Sequence, residues 1–205
     1  KGYYLHLYNF QDNDLSETLT LSGDVATQYT LDSLHIGWNL ISNPLVVSMN
    51  INNIDIIDSG GNSMNWMDAN SNGLISPYLL EFDQNSNILR PTYNIEPYKG
   101  YWVYLYDQIS MSFENKIEPA SMLGEELLST DFIIELESRA FGAGTYSFGD
   151  LIQLGYSLNE SDQFADGVDV PDLNYQYFSE YTSMYIVHNQ DDTSYDKLSR
   201  DIRKH

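Results

Sequence analysis

The stretch "KGYWVYLYD", Lys99 to Asp107, decides how the whole chain reads. Side chains alternate across an extended strand, so Tyr101, Val103 and Leu105 share one face and Trp102, Tyr104 and Tyr106 the other. The chain opens on nearly the same nine letters, "KGYYLHLYN" from Lys1 to Asn9. There Tyr3, Leu5 and Leu7 oppose Tyr4, His6 and Tyr8, and the register holds from Lys1/Lys99 to Tyr8/Tyr106. A strand written twice points to a repeated β unit.

The segments between the copies also read as strands. "ETLTLSG" (17–23) alternates and stops at Gly, and "LHIGWNLISNPL" (34–45) puts Trp38 and Leu40, with Ile36 in step, on one face before an Asn-Pro turn. "VVSMNINNIDIID" (46–58) mixes strand letters with room for a short helix, and "SGGNS" (59–63) is a loop. "ISPYLLEFD" (75–83) is a strand, "QNSN" (84–87) a hairpin turn, and Pro97 marks a sheet edge or strand start. A boundary is expected near Glu118, with one short helical stretch at 121–128. Beyond it "DFIIELESRAF" (131–141) and "YTSMYIVHN" (181–189) alternate as strands, while 142–174 reads as an acidic loop region. "LSRDIRKH" at the end offers no clear closing element. The expected fold is mostly β, as tandem antiparallel β-sandwich-like modules over 1–118 and 119–205.

Composition limits the function. The 205 residues carry 30 acidic and 9 basic side chains, a formal charge of -21, which disfavours nucleic acid and anionic membranes as partners. No run approaches the roughly 20 apolar residues of a membrane helix, so no membrane insertion is expected, and no leader marks a signal peptide. The chain reads as a mature or excised piece. Cysteine is absent, which excludes disulfides and thiolate metal sites. Seventeen tyrosines with abundant Asn and Ser fit pleated surfaces and turns.

The order "GWNLISNPL", "NWMDA", "ISPYLLEFD" and "IEPYKGYWVY" resembles a repeat found in large secreted or surface proteins of marine and Bacteroidetes-like bacteria. The resemblance covers Leu34 to Asp107, and the tail from Phe132 to Arg203 resembles a module that often follows. It implies a secreted or cell-surface multi-module protein, rich in β structure and without known catalytic residues in these modules. On that pattern residues 1–23 are the tail of a preceding repeat or a strand lent to this one.

Three groups of residues carry candidate chemistry. The aromatic stripe Trp102, Tyr104 and Tyr106, with Tyr4 and Tyr8 in the other copy, makes either a stacking platform for sugar rings or a buried sandwich face. "DANSNG" (68–73) matches the first half of a calcium loop through Asp68, Asn70 and Asn72, yet its twelfth position is Leu79 where a bidentate Glu belongs. An Asn-Gly turn explains the same letters. Asp162, Asp166, Asp169 and Asp172 offer oxygen ligands at loop spacing or simply a solvated acidic loop. Calcium is the one cofactor these oxygens suit, and none is required. Asn159-Glu-Ser161 is a sequon that reads as an exposed turn.

Catalytic signatures are missing: His6, His35, His188 and His205 have no HExxH context, and there is no G-x-S-x-G elbow or phosphate-binding loop. The first expectation is therefore a non-catalytic module that holds polysaccharide or a cell-surface protein on its aromatic strand face. The alternative is a structural spacer or adhesin-type repeat whose partners are neighbouring modules. An enzyme stands third, and its sign would be a pocket holding two acids with perturbed titration.

Overall fold

A computed structural model of the protein describes residues 27–32, 34–115, 132–139, 149–158, 167–173, 182–187 and 197–203. The first strands, in chain order, are β1 (Gln28–Leu31), β2 (Gly37–Ser42), β3 (Met49–Asn50), β4 (Asp55–Ile57) and β5 (Ser63–Met64). After a helix α1 (Trp66–Ser71) come β6 (Leu79–Asp83), β7 (Ile88–Thr92), β8 (Asn94–Ile95), β9 (Gly100–Leu105) and β10 (Ser110–Glu114). They form two antiparallel sheets, ordered β1-β10-β4-β5 and β2-β9-β6-β7, and a short β3-β8 ladder. The "KGYWVY" strand is thus central, paired with "GWNLIS" on one flank, Gly37 opposite Leu105, and with β6 on the other.

The alternation fixes what meets between the two sheets. Tyr101, Val103 and Leu105 of β9 join Ile41 of β2 and Leu79 of β6 in one cluster with Ile56, Met111 and Phe113 of the facing sheet. Helix α1 closes one end of this core. The Asn65 side chain caps it by accepting the Asp68 N–H at 2.8 Å, and Trp66 is buried with its indole N–H donated to the Ser76 carbonyl at 2.9 Å. The asparagines of "GWNLISNP" work as backbone staples. The Asn39 amide donates to the His35 and Gly37 carbonyls, and that of Asn43 to the Val47 and Ile95 carbonyls.

A third sheet follows, made of β11 (Phe132–Ser138), β12 (Asp150–Tyr156), β13 (Val170–Pro171), β14 (Ile186–Val187) and β15 (Lys197–Arg203). Its order is β11-β12-β15-β13, with β14 also on β15. The mostly β fold is as the sequence reads, and so are the hairpin turn at 84–87, the short helical turn at 51–53 and β11.

Three readings need correction. The terminal "LSRDIR" belongs to the seven-residue strand Lys197–Arg203, which lies inside the sheet and runs parallel to β12. The supposed loop region 142–174 contains β12 and β13. Of the strand expected over 181–189, only Ile186–Val187 pairs among the described residues. The first two were hidden because Asp150, Gln153, Arg200 and Asp201 are buried polar residues that break the apolar pattern.

Two phenylalanines test the layer assignment. Phe113 is 0% exposed and Phe132 55% exposed. Phe113→Ala is expected to lower urea-unfolding stability by about 3–5 kcal/mol, and Phe132→Ala by less than about 0.5 kcal/mol; equal losses would contradict the placement of β10 against the core.

Candidate functional site

The second face of β9 carries Trp102, Tyr104 and, one residue past the strand, Tyr106. They gather with Trp38 of β2, Tyr78, Leu80 and Phe82 around β6, and Leu89 of β7. Tyr104 stands edge-on to Trp38, ring centroids 5.3 Å apart, and 5.0 Å from the tilted ring of Tyr106. Val170 of the third sheet and Leu173 just after β13 pack into the cluster, and Tyr104 is left 5% exposed while Trp102 and Tyr106 are half-buried. The stripe lies in a seam between the second and third sheets. Tyr4 and Tyr8, from the other copy, are outside the described residues.

The polar tips of this face are tied to the segment it meets. The Trp38 indole N–H donates to the Asp172 carbonyl at 3.2 Å, and the Tyr106 hydroxyl donates to the Asp169 carbonyl. Rings that would otherwise bury an unpaired donor therefore have backbone partners across the seam. The Asn70 amide donates to the Gly167 carbonyl at 2.6 Å and to the Ile75 carbonyl at 2.8 Å. Gly167 has φ of +85°, and a Cβ there would fall against the Asn70 carbonyl oxygen, so this close approach needs glycine.

At the centre of the seam sits Arg200, 1% exposed. Its Nε donates to the Val168 carbonyl at 3.0 Å, its Nη1 to Gln153 Oε1 at 2.7 Å, and its guanidinium lies 5.7 Å from the Tyr78 ring centroid. The Gln153 amide in turn donates to Glu135 Oε1 at 2.7 Å, so a neutral side chain relays between the buried cation and an exposed carboxylate. Burial pushes the Tyr78 phenol up to about 12, against the opposing pull of Arg200. At the rim Arg90 Nη2 meets Glu137 Oε2 at 2.7 Å and bridges the two sheets.

The oxygen ligands suggested by sequence are dispersed. Asp68 and Asn70 belong to α1 and Asn72 caps its end, donating its amide to the Asp68 carbonyl at 2.8 Å. Asp169 is buried, with Oδ1 accepting the Ile202 N–H at 2.9 Å. Asp162 and Asp166 lie outside the described residues. What the sequence did not single out is Asp150, which shares a cavity with Asp172, walled by Tyr78, Leu80, Leu89, Leu151 and Leu173. The cavity offers about 10 Å³ to the centre of a water molecule, room for one water. Asp172 is pushed up to about 7 by burial and by the facing Asp150 carboxylate, against Lys197; burial also raises Asp150, opposed by the Met184 and Leu151 N–H groups. With 30 acids in the chain, no sequence signal pairs Asp150 with Asp172.

Compared with known proteins, the chain matches no family model, no curated protein and no solved structure at a significant level.

The seam sets a clear expectation for the stripe. Tyr104→Ala should cost on the order of 3 kcal/mol in urea unfolding, whereas loss of an exposed platform ring would cost under about 0.5 kcal/mol. An effect in the second range would place Tyr104 on an open face.

Proposed function

We propose that this chain is a non-catalytic structural unit, a spacer or adhesin-type repeat of a secreted or cell-surface protein, whose partners are neighbouring modules and not a small molecule. The observation that carries the reading is the engagement of the aromatic face: its rings pack on Val170 and Leu173, and its donors Trp38 and Tyr106 are bonded to the Asp172 and Asp169 carbonyls. A sugar ring would have to displace those contacts before it could stack. The two acids with raised titration favour an enzyme less than their chemistry alone suggests, because their cavity admits only a water and no substrate ring. The charge of -21 supports a repeat that stays solvated and resists sticking to its own copies.

The test is retention of the folded protein on insoluble polysaccharides and on a glycan array. No retention is expected. Specific retention that Trp102→Ala removes would overturn the spacer reading and favour a carbohydrate-binding face. In a parallel melt, chelator is expected to leave Tm unchanged; a chelator-dependent fall would add calcium to the unit.

A further inference from the structure

Asp172 ties two strands, β15 and β2, through its backbone alone. Its N–H donates to the Lys197 carbonyl on β15 at 3.1 Å, and its carbonyl accepts the Trp38 indole from β2. Its side chain shares the water-sized cavity with Asp150 of β12, whose oxygens accept the Leu151 N–H at 2.9 Å and the Met184 N–H at 2.7 Å. Two backbone donors hold Asp150 as the anion more readily than its neighbour. From β6 and β7 the cavity meets Leu80, Leu89 and Pro91, none of them charged, with the Tyr78 phenol beside them. From the third sheet it meets Gln153 and Ser199. The nearby cations are Lys197, whose Nζ lies 3.9 Å over the Tyr185 ring, and Arg200, held by Val168, Gln153 and Tyr78. Glu135 is reached only through Gln153.

We propose that Asp172, facing Asp150 across this small cavity, is a proton-operated latch on the seam: protonated, it lets the third sheet close on the aromatic face, and ionised, it loosens the edge that holds Trp38. A second negative charge there would be repelled by the Asp150 carboxylate on a half-buried side chain whose cavity holds about one water. Because Asp172 binds its proton up to about pH 7 in the fold and only to 3.8 ordinarily, its contribution is fully present below about pH 4. It is lost as pH rises through about 7, and Asp150, also raised, acts in the same direction.

The experiment compares melting of the full chain with that of Asp172→Asn between pH 5 and 8.5. The wild type is expected to lose roughly 5 °C more in Tm over that range than the variant, since the amide cannot ionise and the remaining acids are common to both. Over the same range the Trp38 indole N–H of the wild type should lose hydrogen-exchange protection relative to the variant. Parallel melting curves and equal protection would overturn the latch. If the variant does not fold, carboxyl carbon NMR of the wild type decides the matter: an aspartate titrating near pH 7 supports the latch, and carboxyls that all titrate below pH 5 overturn it.

Discussion

The structure depends on one constraint: the strand Gly100–Leu105 has no face suited to water. Tyr101, Val103 and Leu105 bury against the β1-β10-β4-β5 sheet, and Trp102, Tyr104 and the adjoining Tyr106 form a second apolar face on the opposite side. Fully burying a large apolar side chain contributes roughly 1.5–3 kcal/mol, so leaving the second face open would forfeit several such terms at once. A sheet buried on both faces requires three layers. The third is supplied by chain far downstream, with Asp169 bonded to Tyr106 and Asp172 to Trp38.

Covering an aromatic face with a polar, acidic segment creates a second problem, met largely by hydrogen bonding, with Arg200 Nη2 buried without a hydrogen-bond partner among the described residues. Arg200 enters the seam as a buried cation whose partners are the Val168 carbonyl, the Gln153 amide oxygen and the Tyr78 ring, and Gln153 passes the interaction outward to Glu135. A buried charge without such partners would cost several kcal/mol. At the same seam two carboxylates, Asp150 and Asp172, share a water-sized cavity. The features that close the face are thus also those that make closure sensitive to protons.

The division of β9 into two faces, the pairing-competent "GWNLIS" strand, the 84–87 hairpin and β11 were all legible from alternation and turn residues. Whether the Trp102 face meets solvent or protein was not, because its cover comes from residues 63 positions beyond Tyr106. Alternation reports that a face is apolar and says nothing of what lies against it. β12 and β15 escaped for the opposite reason. Their buried positions hold Asp150, Gln153, Arg200 and Asp201, which read locally as loop letters. "DANSNG" was ambiguous because its letters suit both a cation loop and a capped helix end, and only the burial of Trp66, Ala69 and Asn70 separates the two.

The most direct measurement of the central claim is a NOESY spectrum of the intact chain, reading cross-peaks between the Tyr104 ring protons and the Val170 methyls. With the third sheet seated on the aromatic face, those cross-peaks are present and a dissolved paramagnetic agent leaves the Tyr104 ring signals sharp. Absent cross-peaks together with strong broadening of the Tyr104 ring would show an open face and contradict the three-layer account.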